Sequence, residues 1–563
     1  MDRSAELRLQ PDAARYTLPC FLEDVVTQHS ERTAIRFEGS DLTYSELGQR
    51  AQLMARGLVA AGVDKGSHVA LLMTNSPDWV VAAFAVALAG GVLVPVNTFA
   101  KDDERRHILR HSDASMLLMQ PEIAGRDLIA ELKGAHQDIA TGQPGHIRSP
   151  ELPSLRRVLV SGLDDPSGAL EPLSLLSDLA NSAEGVSEEL LSALSAEVHP
   201  IDDAMIIYTS GTTALPKGVL HSQRAPVIQS WRFAELMELR ADDVVLTAQP
   251  FFWTAGICMS LGASLAVGAK IVLEETFDAG RALETIEREK VTTVHAWPHQ
   301  EKSMAEHPTA ATRDLSSVLH IEFSSPLAPV VGLKEDEWGT YGAYGMSETF
   351  TSVAAITASS PAKLRARTHG RALPGNSIRM VDPTDGTELA RGEEGEIAVK
   401  GLTFMRGYYK VEPELYLDQD GYFHTQDGGF LGDDEYLVWK GRLSGLIKTG
   451  GANVSPLEVE EAAGGFPGVK TSACLGLEHP TLGEAIVLCV VANPDASPEP
   501  EDIRAYLKER LSAYKVPRVV MLFAGKDVSY TGNQKLQTEP LREAAIHRLV
   551  ENDIEIDGYR YSL

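Results

Sequence analysis

Cysteine and positive charge are both scarce in this sequence. Its 563 residues include 4 cysteines, Cys20, Cys258, Cys474 and Cys489, and no two of them form a C-x-x-C pair. This spacing argues against a disulfide framework and a zinc site, and it favours reduced thiols in the cytoplasm. Lysine and arginine number 51 against 79 aspartates and glutamates, so the formal net charge is -28. Nucleic acids and anionic membranes bind basic surfaces, so neither is a predicted partner, although a local basic site for an anionic ligand stays open.

Long uninterrupted apolar segments are scarce as well. One segment, Trp79 to Val96, is apolar over nearly the length that crosses a bilayer. Gly90 and Gly91 interrupt it, Pro95 stands near its end, and β-branched residues fill its second half. We therefore predict a buried helix, a glycine turn and a buried strand there, and no transmembrane segment. The first residues also lack an apolar stretch, which predicts no signal peptide.

The alternation of strand-like and helix-like runs indicates the fold class. Short β-rich runs alternate with amphipathic helical runs, which is typical of parallel sheets with helices on both faces. Shorter alternating runs over 370–407 indicate a smaller β-rich subdomain, and a compact α+β pattern follows Arg442. We predict an α/β protein with an N-terminal domain over 1–441, a hinge over 442–446 and a small mobile α+β domain over 447–563. The clearest predicted elements are strands over 68–73, 115–119 and 156–161 and helices over 77–89 and 102–111.

The segment Tyr208 to Gly218, YTSGTTALPKG, has the composition of a phosphate-binding loop. Its backbone amides can surround phosphate oxygens, its hydroxyls are further donors, and Lys217 adds a positive charge. The preceding DAMIIY predicts a buried strand, and the following residues lead into a helix. It is not a Walker A loop, because Pro216 precedes the lysine and a glycine follows it. A hydroxyl-rich surface loop is the alternative that composition leaves open.

This string resembles the signature loop of the adenylate-forming superfamily, which includes acyl-CoA synthetases, peptide-synthetase adenylation domains and luciferases. Further segments similar to that family follow in the expected order, and the pattern is closest to acyl-CoA ligases. They are YGMSE, GEIAVKGLTFMRGYY, GYFHTQDGG, GRLSGLIKTGGANVSPLEVE and AYKVPRVV. The resemblance implies that ATP activates a carboxylate as an acyl-adenylate with release of pyrophosphate. The small domain then rotates, and a thiol, usually that of coenzyme A, attacks the adenylate.

The resemblance implies phosphate, metal and catalytic roles for individual residues. Glu348 would bind Mg²⁺ together with Thr209, and Ser347 would hydrogen-bond the α-phosphate. Lys535 would reach in from the mobile domain and bridge the α-phosphate and the substrate carboxylate, so that Lys217, Glu348 and Lys535 are the catalytic residues. Glu348 could instead be an ordinary acid at a helix start, and Lys535 an ordinary solvated lysine. The β- and γ-phosphates would be held by Thr209, Ser210, Gly211, Thr212, Thr213 and Lys217.

The resemblance also implies contacts to the nucleoside. Tyr344, followed by Gly345, would stack on adenine, and Asp427 would accept hydrogen bonds from both ribose hydroxyls. Arg442 would add a ribose contact. Asp427 could alternatively be a turn residue, because two glycines follow it. A wall of the adenine site would be formed by Ser324, Ser325 and Pro326.

The acyl pocket is expected around the QPFFWTAGICM segment. An amino-acid substrate is disfavoured, because no acid follows the aromatics there and an unpaired ammonium in an apolar pocket is costly. Small side chains leave volume, and methionine adapts to its ligand, so a bulky apolar acid (fatty, aryl or terpenoid) fits. A tightly packed helix is the alternative. The predicted pocket residues are Trp253, Gly256, Cys258 and Met259.

Several positions depart from the family pattern. Gly445 stands where an aspartate is usual, and Gln426 and Gln534 stand where glycine is usual. The stretch Ser324 to Pro326 also departs from the usual adenine-contacting pattern, because Pro326 lacks an amide donor. The parts that face coenzyme A, with Lys448, Gly450 and Gly451, are largely kept. One hypothesis is therefore that adenylation is weak and that the enzyme thioesterifies an acyl-adenylate made by a partner enzyme. Acyl transfer to a carrier protein and an inactive acyl-nucleotide-binding scaffold are further alternatives, whereas the absence of G-x-G-x-x-G after a strand argues against an oxidoreductase.

Overall fold

Buried strands form two large sheets in the N-terminal part of the chain, and helices cover them. The computed structural model describes residues 12–143, 145–162, 173–209, 215–443, 446–493, 496–524, 528 and 538–562. Six strands of the eight-stranded sheet are parallel, and two antiparallel strands extend one edge. The spatial order is Gly407–Tyr408, Lys217–Ser222, Asp203–Thr209, Val92–Pro95, His68–Leu72, Met116–Met119, Arg157–Val160 and Ser174–Leu175. The three strands predicted first, near 68, 115 and 156, are confirmed in this sheet.

A five-stranded sheet packs beside it. Four of its strands are parallel and the fifth, Ser40–Thr43, is antiparallel. The order is Thr293–His295, Val244–Thr247, Lys270–Leu273, Thr33–Phe37 and Ser40–Thr43. The largest hydrophobic cluster contains side chains of both sheets, including the fully buried Val69 and Ile271. The predicted helix Pro77–Leu88 lies in this core, and none of the helices in the described part of the chain has the length and apolarity needed to cross a bilayer.

Side-chain caps start many of the helices that cover these sheets. At Thr43 the hydroxyl accepts a hydrogen bond from the Glu46 amide, and the Glu46 carboxylate accepts one from the Thr43 amide, which is a capping box. A π-helix, Gly256–Gly262, precedes the helix Ala263–Val267. The other α-helices of the N-terminal part are Leu18–His29, Tyr44–Ala60, Pro77–Leu88, Asp102–His111, Leu128–Ala135, Gln137–Ala140, Asp178–Ser182, Glu188–Ala196, Arg224–Leu236, Ala279–Glu289, Pro298–Ala305, Ala328–Val331 and Ala362–Arg365.

The segment after the phosphate loop differs from the prediction. A helix was expected to follow the loop, and Arg224–Leu236 is that helix, but the strand Lys217–Ser222 comes first. This strand pairs antiparallel with Asp203–Thr209 and forms a hairpin. Its backbone groups are satisfied by a strand on each side, because Gly407–Tyr408 pairs with its other edge. The loop therefore connects two paired strands.

Antiparallel strands form the predicted β-rich subdomain. A four-stranded sheet has the order Asn376–Val381, Gly395–Gly401, Phe423–Leu431 and Leu437–Arg442. A three-stranded sheet has the order Ala343–Tyr344, Ala354–Ala355 and Arg371–Ala372. The subdomain extends beyond the predicted 370–407, because strands distant in the sequence complete its sheets.

The C-terminal part, from Leu446 onward, has its own sheet and helices. The strands are Ala452–Val454, Ile447–Thr449, Gly483–Ala492 and Val469–His479, with Val519–Phe523 parallel to Gly483–Ala492. Hydrophobic clusters cover both faces of this sheet. The α-helices are Pro456–Gly464, Pro500–Arg510 and Thr538–Glu551. The α/β architecture with a small α+β C-terminal part is thus confirmed, whereas Gly445 lies outside the described residues and the hinge over 442–446 stays a prediction.

Candidate active site

The two ends of the predicted phosphate loop lie side by side. Thr209 ends one strand of the hairpin, Lys217 begins the other, and the two residues are paired in register. The loop therefore leaves and re-enters the sheet at one point, at the carboxyl end of a strand that belongs to the parallel sheet. Ligands of open α/β sheets bind at such ends. The loop residues Ser210, Gly211, Thr212 and Thr213 lie outside the described residues.

One tyrosine connects Lys217 with Glu348. The Lys217 ammonium Nζ lies 5.0 Å from the centroid of the Tyr408 ring, and the Tyr408 hydroxyl donates to Glu348 Oε1 at 2.6 Å. Tyr408 belongs to the strand that pairs with the Lys217 strand, which places its ring beside Lys217. Sequence reasoning missed Tyr408, although it lies within the GLTFMRGYY segment. The cation and the carboxylate thus flank one aromatic side chain.

The residue before Glu348 is held through its backbone. His221 is fully buried, and its Nε2 lies 2.8 Å from the Ser347 carbonyl oxygen. Burial lowers the pKa of His221 to about 3, so the ring is neutral and its N–H donates to this carbonyl. This contact uses the Ser347 carbonyl oxygen and does not involve the Ser347 hydroxyl. At Gly345 a Cβ would overlap with the Thr351 carbonyl oxygen, so this close approach of two backbone segments requires glycine.

Tyr344 and Asp427 form the second contact of the site. The Tyr344 hydroxyl donates to Asp427 Oδ2 at 2.7 Å, and Asp427 is only 2% exposed. Asp427 also pairs in register with Arg442 on the neighbouring strand. The predicted nucleoside residues Tyr344, Asp427 and Arg442 are therefore brought together by two sheets. Gln426, which replaces a usual glycine, has a φ of 57°, the left-handed region that glycine adopts most easily.

A cavity of about 1450 Å³ opens between the N-terminal and C-terminal parts. Of the predicted acyl residues, Met259 lines it, and the predicted coenzyme A residues Lys448, Gly450 and Gly451 line it from the C-terminal part. Sequence reasoning missed several lining residues, because they come from segments without a recognised motif. These are Trp297, Glu301, Glu322, Tyr341 and Trp439.

The remaining predicted acyl residues have different surroundings. The Trp253 ring packs edge-on against Trp297 with centroids 6.1 Å apart, at the border of the cavity. Cys258 is fully buried, and its Sγ lies 3.1 Å from Thr351 Oγ1. Gly256 is buried, and a Cβ there would overlap with the Pro250 carbonyl oxygen. This segment therefore packs tightly on the side of Cys258 and presents Met259 to the cavity.

Carboxyl groups make part of the cavity wall polar. Glu301 is 5% exposed, and burial raises the pKa of its carboxyl group to about 7. The hydroxyl of Ser325 hydrogen-bonds this carboxyl group. Glu322 accepts hydrogen bonds from the backbone amide and the hydroxyl of Thr340, and burial raises its pKa as well. Ser324 and Pro326 are exposed beside them.

A second cavity of about 490 Å³ adjoins the first. Phe99 and Lys101 from the N-terminal part line it, together with Ala513 from the C-terminal part. His295 lines both cavities, so they share a wall at the end of the strand Thr293–His295. Burial lowers the pKa of His295 to about 4, which keeps this shared wall uncharged.

The C-terminal part reaches the cavity through a tight turn. Gly450 and Gly451 have φ values of 55° and 83°, and a Cβ at Gly451 would overlap with the Trp297 ring. Glycine is therefore required where this turn packs against the N-terminal part. Lys535 lies outside the described residues, and so do its surroundings.

The donor set fits a magnesium ion that is shared with phosphates. No group of three or more His, Cys, Asp or Glu side chains that could hold a metal ion is found among the described residues. Glu348 is a partly exposed carboxylate that is held by Tyr408, whose ring also contacts Lys217. Mg²⁺ commonly takes one or two carboxylates plus substrate phosphate oxygens and water, which is a set that this site can supply.

Comparisons with known proteins place these features in context. A family model described as AMP-binding enzyme matches residues 22–409, and one described as AMP-binding enzyme C-terminal domain matches residues 458–535. The chain is 32% identical over 515 residues to the 3-[(3aS,4S,7aS)-7a-methyl-1,5-dioxo-octahydro-1H-inden-4-yl]propanoyl:CoA ligase of Rhodococcus jostii (strain RHA1), with 90% of this chain and 94% of that protein covered. It is 30% identical over 516 residues to the indoleacetate–CoA ligase of Aromatoleum aromaticum, with 91% and 95% covered.

A solved structure with a similar fold is the amide bond synthetase McbA from Marinactinospora thermotolerans. It is 26% identical to this chain, with a TM-score of 0.73, and the match covers 94% of this chain and 99% of that one.

Proposed function

We propose a two-step reaction from the premise that the chain belongs to the family of AMP-binding enzymes and is an ATP-dependent carboxylate–CoA ligase. The enzyme converts a bulky carboxylic acid first into an acyl-adenylate and then into a thioester of coenzyme A. The observation that carries the proposal is a pair of contacts, Lys217–Tyr408–Glu348 and Tyr344–Asp427, which are linked because Tyr344 and Glu348 lie four positions apart in the chain. A cation beside a hydroxyl-rich loop suits phosphate oxygens, and a buried carboxylate beside an aromatic ring suits a nucleoside.

In the first step a carboxylate oxygen of the acid attacks the α-phosphorus of ATP. The bond from that phosphorus to the bridging oxygen breaks, and pyrophosphate leaves with the bonding electron pair. Both reactants are anions, so positive charge must reduce their repulsion, and the reacting atoms must be held in line. Lys217 supplies such charge at the base of the loop, and we propose that Lys535 supplies more from the C-terminal part.

Glu348 is the proposed protein ligand of Mg²⁺. Its carboxylate already accepts the Tyr408 hydroxyl through Oε1, which leaves Oε2 available for a metal. Mg²⁺ held there would neutralise negative charge on the phosphate oxygens. Tyr408 then fixes the orientation of the carboxylate, because its own ring is held by the paired strand.

In the second step the C-terminal part rotates, and the thiol sulfur attacks the acyl carbonyl carbon. The bond from that carbon to the phosphate oxygen breaks, AMP leaves, and the thiol proton passes to solvent. The arrangement of Gly450 and Gly451 against Trp297 supports this step, because it brings the C-terminal part onto the wall of the larger cavity. The smaller cavity supports a route for the thiol arm, since it shares His295 with the larger one.

The proposed acid is bulky and mainly apolar, with a ring system. The two relatives described above are named for ring-bearing acids, and a cavity of about 1450 Å³ has room for a ring. With a pKa of about 7, the carboxyl group of Glu301 at the wall is protonated in part of the molecules near neutral pH and can then donate a hydrogen bond, so we propose that an oxygen substituent on the acid is accepted as well.

We propose that the enzyme catalyses both half-reactions. The alternative, thioesterification of an adenylate made elsewhere, depends on the departures at Gly445, Gln534, Gln426 and the stretch Ser324 to Pro326. The first two lie outside the described residues, and Gln426 adopts the left-handed conformation without displacing Asp427 from Tyr344. A carrier protein presents the same thiol arm as coenzyme A and is the alternative acceptor. The four cysteines are free, which supports a proposed cytoplasmic location.

The test measures the two half-reactions separately. ATP–pyrophosphate exchange is measured with indole-3-acetate, ferulate and a bicyclic ring propanoate, and thioester formation is then measured with coenzyme A or a loaded carrier protein. We expect exchange with at least one ring acid, a thioester with free coenzyme A, and the loss of both in Lys217→Met. Arg50→Met, a change of an exposed cation far from the loop in sequence, is the control. Thioester formation from a synthetic adenylate without any pyrophosphate exchange would favour the alternative.

A further inference from the structure

A buried lysine links the N-terminal and C-terminal parts of the chain. Lys515 lies in the turn Ala513–Lys515 and is 1% exposed. Its Nζ lies 2.8 Å from Glu458 Oε1 and 3.2 Å from Glu104 Oε2. Glu458 belongs to the C-terminal helix Pro456–Gly464, whereas Glu104 belongs to Asp102–His111 of the N-terminal part. Glu104 is therefore the one member of this triad that does not belong to the C-terminal part.

Neighbouring residues reinforce the same contact. The Ser512 hydroxyl donates to Glu104 Oε2 at 3.2 Å, so this carboxylate oxygen accepts from two C-terminal residues. The hydroxyl of Tyr514 accepts a hydrogen bond from Asn97 Nδ2 at 3.3 Å. The Tyr514 ring also packs edge-on against Phe99 and Trp253, at the border of the smaller cavity. Ion pairing at Glu104 thus lies next to the aromatic contacts that close the two parts over the cavities.

The triad is buried enough for its charge to matter. The side chains of Glu104 and Glu458 are each 13% exposed, so solvent screens them weakly. Burial opposes the charged form of Lys515, yet the groups around it, including Glu104 and Glu458, raise its pKa above the usual value. A buried ion that loses one partner is strongly disfavoured, because the remaining charge keeps its desolvation penalty.

We propose that Glu104 is a positioning residue for the thioester-forming half-reaction and holds the C-terminal part in place through Lys515. The inference rests on the proposed function, in which the C-terminal part rotates between two half-reactions. Lys515 and Glu458 move together in that rotation, so within the triad the contact that is made or broken is the one with Glu104. Glu104 therefore stabilises the arrangement in which Gly451 packs against Trp297 and Tyr514 packs at the smaller cavity. It makes no contribution to adenylation if that step uses the other arrangement.

Three variants of the full-length enzyme test the role of Glu104. Glu104→Gln removes the charge and keeps the shape, Glu104→Asp keeps the charge, and Asp103→Asn is the matched control on the same helical turn. The side chain of Asp103 is 80% exposed and pairs only with Arg106 among the ion pairs of the described residues. Pyrophosphate exchange with indole-3-acetate reports adenylation, and single-turnover consumption of synthetic indoleacetyl-adenylate with coenzyme A reports thioester formation.

We expect Glu104→Gln to slow thioester formation by about 10-fold or more while pyrophosphate exchange stays within about twofold. Glu104→Asp should recover part of the rate, and Asp103→Asn should match the wild-type enzyme. An equal decrease of both half-reactions, or no decrease in either, would overturn the proposal, because a structural defect is not selective and an inert contact has no effect.

Hydrogen exchange separates this inference from the proposed function. The ligand-free wild type, Glu104→Gln and Asp103→Asn are compared at residues 512–516 and 102–111. Faster exchange at both segments in Glu104→Gln alone supports the contact even if indole-3-acetate is no substrate. If no acid supports pyrophosphate exchange, the proposed function fails. If amide hydrogen exchange in Glu104→Gln equals that of the wild type, the role of Glu104 is overturned.

Discussion

The hydroxyl of Tyr344 donates a hydrogen bond to Oδ2 of Asp427 at 2.7 Å, although the two residues lie 83 positions apart in the chain. Tyr344 lies on a three-stranded sheet and Asp427 on a four-stranded one. The contact therefore orders two sheets around one proposed nucleoside site, and it orients a carboxylate that is almost fully buried. Removal of the Tyr344 hydroxyl therefore tests the orientation of Asp427 while the ring that would stack on adenine is kept.

Tyr344→Phe keeps the ring and removes only the hydroxyl. Loss of one hydrogen bond to a charged group costs about 1.5–3 kcal/mol, so we expect the KM for ATP to rise about 10- to 100-fold while the KM for the acid changes little. Steady-state pyrophosphate exchange with varied ATP measures this effect. Tyr422→Phe is the matched control, because it removes a tyrosine hydroxyl that contacts Ser377 elsewhere in the same subdomain. A similar rise in both variants would contradict a specific role for the Tyr344 hydroxyl.

Glu348→Gln should weaken Mg²⁺ binding and so raise the Mg²⁺ concentration that adenylation requires. The amide keeps the hydrogen bond from Tyr408 but no longer carries the charge that attracts a divalent ion. We expect the Mg²⁺ concentration for half-maximal pyrophosphate exchange to rise about 10-fold or more, which corresponds to about 1.4 kcal/mol. Titration of MgCl₂ at fixed ATP measures it. Glu394→Gln, an exposed acid paired with Lys440, is the control, and an unchanged titration in Glu348→Gln would exclude a metal ligand at that position.

Gly451→Ala should block the second half-reaction. The new methyl group would overlap with the Trp297 ring, and alanine is strained at a φ of 83°. We expect thioester formation to fall about 100-fold and pyrophosphate exchange to remain, because a 1 Å displacement of reacting groups costs that much. Gly62→Ala is the control for backbone strain alone, since Gly62 has a φ of 93° and open space around it. Equal losses in both variants would attribute the effect to strain and not to the Trp297 contact.

Glu301→Gln should change how stability depends on pH. The folded protein raises the pKa of Glu301 to about 7, above its ordinary value of 4.5, so the folded state binds more protons than the unfolded state between these values. Stability from Glu301 is therefore present below pH 4.5 and is lost as the pH rises through 7. We subtract the free energy of unfolding of the wild type from that of Glu301→Gln. We expect this difference to be up to about 3 kcal/mol more favourable to the variant at pH 8 than at pH 4.5. Thermal unfolding of both proteins across this range measures it, and parallel pH profiles would contradict the prediction.

Local periodicity predicted many of the helices and strands, whereas some contacts of the site were not predicted. The helix Pro77–Leu88 and the strand Val92–Pro95 follow from apolar runs interrupted by two glycines. The strand Lys217–Ser222 was not expected, and of its two partner strands only Asp203–Thr209 is near in the chain, whereas Gly407–Tyr408 lies almost 200 residues further on. Tyr408 was missed because it reaches the site through this distant pairing. Pairing between distant segments leaves little trace in either one.

The sequence by itself indicated the class of chemistry, because its phosphate loop and the motifs that follow it resemble those of adenylate-forming enzymes, in the same order along the chain. It also determined the helices and strands with strong periodicity, since each has one apolar face to bury. Only the tertiary structure decided which side chains meet, such as Tyr344 with Asp427 and Lys515 with Glu104. It likewise raised the pKa of Glu301, because desolvation depends on what packs around a carboxyl group and not on its neighbours in the chain.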